Sequence, residues 1–142
     1  MTSDPFAALA PGQTAERDYA FTAERVGAFS DLVSDHAPVH FDADFAGKRG
    51  FPGRIVHGFF LSSIFSGMLG EELPGPASVI NQTSLKVHSP VAVGQTVRFQ
   101  VAVTQVTPAV RAVVLKLTAS AADGKAILSG TAICSFPPVT EG

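Results

Sequence analysis

The feature that most constrains the fold is an uncharged stretch from Ile55 to Gly70, which contains no Asp, Glu, Lys or Arg. Its length suits one helix of about four turns at roughly 3.6 residues per turn. Apolar residues occupy most faces of this helix, which predicts that the helix is buried. They are Phe59, Phe60, Leu61, Ile64, Phe65, Met68 and Leu69.

One stripe along this helix is different. Gly58, Ser62, Ser66 and Gly70 recur at intervals of four residues and therefore share a face. Two interpretations remain open for the stripe. It either allows another backbone to pack closely against the helix, or it borders a narrow groove for a thin ligand chain.

The remaining elements divide into helices first and strands afterwards. An edge strand is predicted over 14–21, and a helix from an N-cap at Thr22 to about Val33 that buries Val26, Phe29, Leu32 and Val33. From residue 78 onward the apolar period is two, which predicts strands over 79–88, 93–103, 110–120 and 126–136. This order is typical of an α+β fold, with an antiparallel sheet curled around the one long helix.

Composition narrows the class of protein further. A chain of 142 residues predicts one domain over residues 1–142. Charged residues make up only 15%, below the roughly 25% of ordinary soluble domains, which predicts surface buried in an oligomer. The net charge of −2, without any Lys or Arg run, excludes the electrostatic footprint of a nucleic-acid-binding protein.

The cellular setting follows from two further observations. The single cysteine, Cys134, cannot form an internal disulfide and lies in an apolar run, so we predict a core residue in a reducing compartment. The first ten residues lack the pattern of a signal peptide, and the stretch from Ile55 to Gly70 is shorter than the ~20 residues of a membrane span. The sequence therefore predicts a soluble, cytoplasmic protein without a membrane partner.

A loop between two apolar elements concentrates ionisable side chains. Asp35 and His40 lie five residues apart, with Pro38 making the turn between them rigid. A carboxylate and an imidazole held close together form a competent acid–base pair. The alternative is a solvated helix end. A metal site is not predicted, because the spacing of His36 and His40 binds metal on a helix and Pro38 makes this loop non-helical.

The start of the long helix is the second place suited to chemistry. The first turn of a helix has unpaired N–H groups, and Gly58 leaves the backbone accessible there. Such a position can stabilise a developing oxyanion. For His57 we predict a structural role, with the imidazole hydrogen-bonded to the backbone.

These motifs resemble a known family. The run Asp35-His36-Ala37-Pro38-Val39-His40 resembles the Asp-x-Asn-Pro-x-His hydratase motif of MaoC-like proteins. Segments 55–58, 65–67 and 90–94 look like further family landmarks, so the resemblance spans roughly residues 13 to 136. The combination is most similar to the single-domain (R)-specific enoyl-CoA hydratases. It implies a hot-dog fold, an antiparallel sheet wrapped around one long helix, usually as a homodimer.

The resemblance also implies an activity. It assigns the catalytic aspartate to Asp35, the catalytic histidine to His40, the N–H that polarises the thioester carbonyl to Gly58, and a helix serine near the site to Ser66. The implied reaction is reversible addition of water to a trans-2-enoyl thioester, giving an (R)-3-hydroxyacyl product of fatty acid metabolism, without metal or redox cofactor. The substrate would be carried on CoA or on acyl carrier protein.

The substrate groups are then expected in two places. The small stripe would border the acyl chain, so we expect Ser62, Ser66, Phe59 and Phe65 to bind substrate. Leu69 and Met68 are further candidates for the apolar lining. Lys48, Arg49 and Arg54 are candidates for the CoA phosphates, with an exposed basic loop as the alternative.

This chain departs from the family pattern at several positions, among them Val33 and Ser34 before the aspartate. Ala37 replaces the asparagine that helps to fix the loop, and Gln95 follows Gly94 where an aspartate is common. Two other functions therefore stay open beside the hydratase. One is an acyl-CoA-binding protein without catalysis, and the other is a thioesterase that directs water at the carbonyl carbon.

Overall fold

The computed structural model describes residues 4–140, so residues 1–3 and 141–142 of the predicted domain lie outside the described residues. Three helices and five strands form its framework. The helices are α1 Ala23–Val33, α2 Ala43–Gly47 and α3 Gly58–Glu71, and the strands are β1 Thr14–Ala20, β2 Val79–Val87, β3 Thr96–Thr107, β4 Ala112–Ala121 and β5 Ala126–Ser135. A short 3₁₀ turn, Pro38–His40, lies between α1 and α2.

The five strands form one antiparallel sheet in the order β1-β3-β4-β5-β2. The turn between β4 and β5 uses Gly124 at a positive φ of 88°, a conformation that glycine adopts without strain. The long helix α3 packs against this sheet, and the ring of Phe65 contacts Phe99 of β3 edge-on at 5.2 Å. The α+β prediction with one long helix against an antiparallel sheet is confirmed.

Residues 4–140 cover only one side of α3. The buried residues of the helix belong to the core, and they are Phe60, Leu61, Ile64, Phe65, Met68 and Leu69. The prediction of a helix buried nearly all round is wrong for the outward side, where Phe59 is 86% exposed and Ser66 is also exposed. The reason is that a single sheet can cover only one side of a helix.

The small stripe does not serve close backbone packing at either end. A Cβ added at Gly70 would meet nothing within 4 Å, and one at Gly58 would meet only the Val87 side chain at 3.9 Å. Within residues 4–140, no other backbone therefore packs closely against the stripe at these two positions. The groove interpretation is taken up below.

Helix α1 begins as predicted and ends in an unusual way. The Thr22 side chain accepts a hydrogen bond from the N–H of Arg25 at 3.2 Å, which caps the helix. The buried side of α1 is set by Val26 and Ser30, four residues apart. Leu32 is 84% exposed, contrary to prediction, because it lies about 200° around the helix from Ser30. Val33, which is 49% exposed, was also wrongly predicted to be buried.

Two further expectations concern Cys134 and the membrane. Cys134 is buried in β5, and burial raises the pKa of its thiol to about 11, which confirms a core residue and disfavours a thiolate nucleophile at neutral pH. Over residues 4–140, none of the helices has the length and apolar character needed to cross a bilayer.

Candidate active site

The loop after α1 is fixed largely by its own backbone. Ser34 ends the helix in a left-handed conformation, with φ 60° and ψ 39°. The N–H of Asp35 then donates to the Ser30 carbonyl at 3.0 Å, and the Asp35 Oδ1 atom accepts from the N–H of Ala37 at 3.1 Å. One carboxylate oxygen is thus held by the chain itself, although residue 37 has no polar side chain.

His40 lies at the end of the 3₁₀ turn, and the segment before α3 holds it. Its ring Nδ1 lies 2.7 Å from the carbonyl oxygen of Ile55. The Nε–H of Arg54 donates to the His40 carbonyl at 2.7 Å. Because a carbonyl can only accept, the Nδ1 of His40 carries the proton and Nε2 has a free lone pair in the neutral ring.

The two predicted acid–base residues converge. The Nε2 atom of His40 lies 3.9 Å from Oδ2 of Asp35, a separation that one bridging water can span. The imidazole of His40 is 10% exposed and the Asp35 carboxylate 46% exposed, so the carboxylate is open to solvent on one side. The structure therefore brings Asp35 and His40 together at the distance that water activation needs.

His57 belongs to the same cluster, which sequence reasoning missed. Its ring is buried, stacks on His40 with centroids 3.7 Å apart, and places Nε2 at 2.9 Å from the Ser30 hydroxyl and 3.3 Å from the Asp35 carbonyl. The prediction that His57 bonds only to the backbone is therefore incomplete, because the ring also contacts the side chains of Ser30 and His40. The position of His57 directly before Gly58 was the one sign in the sequence that it lies near the site. Its partner Ser30 is 27 residues earlier and belongs to no recognisable motif.

Gly58 opens α3 beside these side chains. The first hydrogen bond of the helix runs from the N–H of Leu61 to the carbonyl of His57 at 3.0 Å, so the N–H of Gly58 precedes the helical ladder. A cavity of about 530 Å³, the polar cavity, contains all three residues predicted to be catalytic. It is lined by Phe29, Val33, Asp35, His40, His57, Gly58 and Phe59.

A second cavity of about 680 Å³, the apolar groove, is lined by residues of α3 and of β2. It is lined by Gly58, Phe59, Ser62, Ser63, Phe65, Ser66, Leu69, Ile80, Thr83, Leu85, Val87 and Leu117. All four residues predicted to bind substrate are in this lining. Met68 is not, because it is fully buried in the core. Gly58 and Phe59 line both cavities, so the two are neighbours.

The neighbouring basic and histidine side chains have other partners. Arg49 donates to the carbonyl of Phe45 at 3.0 Å and lies over that ring, while Arg54 holds the backbone of His40. The Nε2 atom of His36 lies 2.7 Å from Oδ1 of Asp31, and the His36 side chain is 58% exposed. These contacts give Arg54 a role in fixing the loop.

Asp35, His40 and His57 offer atoms within 4.8 Å of one another, so a metal must be considered. A carbonyl can only accept, so the His57 Nε2 beside the Asp35 carbonyl carries a proton and has no lone pair for a metal. The nitrogen of His57 that lies near the Asp35 carboxylate is this Nε2, 4.0 Å from Oδ2, so the donors that face one another are Nε2 of His40 and the carboxylate of Asp35. Two donors are short of the three or four ligands of ordinary protein zinc sites. The donor set does not fit, and a metal-free site remains a prediction.

Comparison with known proteins decides the family. The model of the MaoC like domain matches residues 7–125. The chain belongs to the MaoC-like domain family. It is 44% identical over 96 residues to the (R)-specific enoyl-CoA hydratase of Aeromonas caviae, covering 68% of this chain and 72% of that relative. It is 33% identical over 132 residues to the enzyme of the same name from Rhodospirillum rubrum, covering 93% of this chain and 91% of that relative.

Structural comparison agrees with the MaoC-like assignment. The solved structure of the (R)-hydratase from A. caviae involved in PHA biosynthesis superposes with a TM-score of 0.87 at 36% identity. The match covers 92% of this chain and 98% of that structure. The hot-dog fold that the resemblance implied is therefore confirmed for this MaoC-like chain.

Proposed function

We propose that this MaoC-like chain is an (R)-specific enoyl-CoA hydratase that also runs the reverse dehydration of 3-hydroxyacyl-CoA. The observation that carries the proposal is the 3.9 Å separation of Asp35 Oδ2 and His40 Nε2 in one cavity with Gly58. The names of the relatives from A. caviae and R. rubrum support the same reaction.

Water is activated between the two acceptors. A water that donates one hydrogen to Asp35 Oδ2 and the other to His40 Nε2 presents a lone pair to C3 of the enoyl thioester. Asp35 takes the proton as the new C–O bond forms, and it returns that proton to C2. His40 orients the water, since its proton lies on Nδ1. Each such acid–base partner contributes typically 10²–10⁴ in rate.

Charge builds up on the thioester oxygen as the enolate forms. The N–H of Gly58, at the positive end of α3, donates to that oxygen and lowers the barrier. The acyl chain then extends from the shared lining residues Gly58 and Phe59 into the apolar groove beside Ser62, Ser66 and Phe65. Lys48 is exposed and is our remaining candidate for a phosphate contact of the carrier.

Spectrophotometry of the enoyl-thioester absorbance tests the activity with crotonyl-CoA and longer chains. We expect turnover in both directions, and its loss in Asp35→Ala and His40→Ala. Absence of turnover on every chain length, or full activity in both variants, would contradict the hydratase. Release of free thiol would indicate a thioesterase, and binding of acyl-CoA without turnover a binding protein. The same assay on crotonyl-acyl carrier protein identifies the preferred carrier.

We also propose that two copies of the chain form a homodimer through β2 and the open side of α3. Strand β2 forms an edge of the sheet and carries exposed apolar side chains, among them Val79, Ile80 and Val87. A long edge strand without protection pairs readily with another strand. Light scattering is expected to give twice the mass of the 14.7 kDa chain, and a monomeric mass would contradict the dimer.

For location we propose the cytoplasm, because the buried, unpaired Cys134 suits a reducing compartment. Fluorescence of a tagged chain in the source cell tests this. A signal confined to another compartment would contradict it.

A further inference from the structure

His57 is a buried ionisable residue to which the hydration described above gives no role. It lies directly before α3, is 3% exposed, and contacts two other rings. Phe29 of α1 packs edge-on against it at 5.0 Å, and His40 stacks on it at 3.7 Å with planes 23° apart. The ring is therefore held in place by packing, and the direction of its nitrogens is fixed.

The two nitrogens of His57 have very different surroundings. Nε2 lies 3.3 Å from the main-chain carbonyl of Asp35, which can only accept, and 2.9 Å from the hydroxyl of Ser30. Donation to this carbonyl requires the proton on Nε2, and the Ser30 hydroxyl then serves as a second acceptor. Over residues 4–140, the other nitrogen, Nδ1, is the buried side-chain N or O atom that lacks a hydrogen-bond partner.

The charge state follows from these surroundings. A second proton would place an unpaired N–H donor and a charge in a buried position. Burial lowers the pKa of His57, and this effect exceeds the opposing effects of the hydrogen bond to the Asp35 carbonyl and of the Asp35 carboxylate. The two α1 residues that contact the ring, Phe29 and Ser30, are uncharged. His57 is therefore a neutral donor.

Asp35 is held at three points, and His57 supplies one of them. The N–H of Asp35 donates to the Ser30 carbonyl at 3.0 Å, Oδ1 accepts from Ala37 at 3.1 Å, and the main-chain carbonyl faces His57. The atom Oδ2, 3.9 Å from His40 and 4.0 Å from His57, has none of these bonds and faces the reacting water. With Ala37 contributing no side-chain amide, His57 and Ser30 supply the polar side chains behind the loop.

We propose that His57 is a positioning residue of the hydration: its neutral imidazole donates the Nε2 proton to the main-chain carbonyl of Asp35 and holds Oδ2 one water away from His40. This inference rests on the proposed function. A charged His57 would instead form an ion pair with Asp35 and weaken it as a base. The neutral ring holds the main chain of Asp35 and leaves the negative charge of its carboxylate unpaired, so that the carboxylate remains available as a base.

Two substitutions separate donation from ring packing. His57→Gln retains an amide donor at the place of Nε2 and loses the ring, whereas His57→Phe retains the ring and loses the donor. We expect kcat on crotonyl-CoA to fall about 10- to 100-fold in His57→Phe, with KM little changed, because a displaced base slows the chemical step. His57→Gln is expected to retain more kcat. The exposed His36 provides the control, since His36→Gln and His36→Phe are expected to have equal kcat.

A double variant tests whether the effect passes through Asp35. Asp35→Asn combined with His57→Phe is expected to be no slower than Asp35→Asn alone, because a residue that positions the base has no effect once the base is gone. Additive losses, wild-type kcat in His57→Phe, or a lower kcat in His57→Gln than in His57→Phe would each overturn the proposal. Circular dichroism confirms that each variant is folded.

The tautomer of His57 provides a readout that needs no activity. Nitrogen-15 NMR of the imidazoles in the wild-type chain is expected to find His57 neutral with its proton on Nε2 at pH 7. A proton on Nδ1, or on both nitrogens, would overturn the proposal. If the wild-type chain hydrates no enoyl thioester, the proposed function fails, and the NMR result still decides whether His57 donates to Asp35.

Discussion

The polar cavity and the apolar groove share Gly58 and Phe59 but are built on different principles. The polar cavity is lined by Asp35, His40 and His57, whose atoms are fixed by hydrogen bonds to main-chain carbonyls and N–H groups. The groove has no charged residue in its lining, and β2 forms one side of it. We therefore expect substitutions in the polar cavity to act on the chemical step, and substitutions in the apolar groove to act on the choice of acyl chain.

The largest expected effect is confined to the polar cavity. Asp35→Asn removes the proposed base and should lower kcat by about 10²–10⁴, while acyl-CoA binding in the groove is expected to remain. Steady-state kinetics and calorimetric binding measure the two quantities separately. Asp31→Asn is the control, because Asp31 is exposed and pairs with His36. Loss of binding together with kcat would show that the two cavities are not separable.

The next effect acts on the β2 side of the groove. A Cβ at Gly130 would lie 1.8 Å from the Ser84 carbonyl oxygen of β2, so Gly130→Ala must push the two strands apart. We expect the free energy of unfolding in urea to fall by about 1–3 kcal/mol. Gly27→Ala is the control in α1, where a Cβ meets nothing within 4 Å and should stabilise the helix. Equal stability of the two variants would contradict this view of β2.

A smaller effect should separate long from short substrates. Ser66→Leu fills part of the groove, so kcat/KM is expected to fall about tenfold for long enoyl chains and little for crotonyl-CoA. Gly70→Ala is the control, because Gly70 belongs to the same stripe but does not line the groove. A uniform loss for all chain lengths would show that the acyl chain does not lie beside Ser66.

The smallest effect concerns pH and stability. The pKa of His57 is lowered in the folded chain, so below about pH 6.5 the unfolded chain binds more protons than the folded one. The free energy of unfolding should therefore decrease as the pH falls from 7 to 5, by at most about 1.4 kcal/mol per pH unit from this group. His57→Gln should show a shallower decrease in urea titrations, whereas Ser66→Leu should retain the wild-type slope.

Sequence reasoning located the strands well where packing is regular. The predicted strands over 79–88 and 126–136 end within one residue of β2 and β5. The strand predicted to begin at residue 93 begins at Thr96 instead. The reason is tertiary, because Val91 and Val93 hydrogen-bond to Val56 and Arg54 in the loop before α3. Period alone cannot distinguish pairing with a sheet from pairing with a loop.

At the site, the sequence predicted which residues lie together more reliably than it predicted which residues of α1 are buried. The spacing of Asp35 and His40 around Pro38 and the start of α3 at Gly58 predicted residues that do lie in one cavity, as the proposed function requires. The partnership of Ser30 with His57 had no such signal, because it depends on how α1 rotates when it packs. The same rotation exposes Leu32, which hydropathy alone assigned to the core.

The proton on His40 is located by the main-chain carbonyl of Ile55, and the adjacent Arg54 holds the main chain of His40 in return. A carbonyl is present whatever side chain follows it. Point substitutions at residue 55 therefore leave the tautomer of the histidine unchanged, whereas insertion or deletion of a single residue between 41 and 54 would displace it. The tautomer of His40 thus depends on the number of residues in this segment, so natural variants should differ in its composition outside Arg54 more often than in its length.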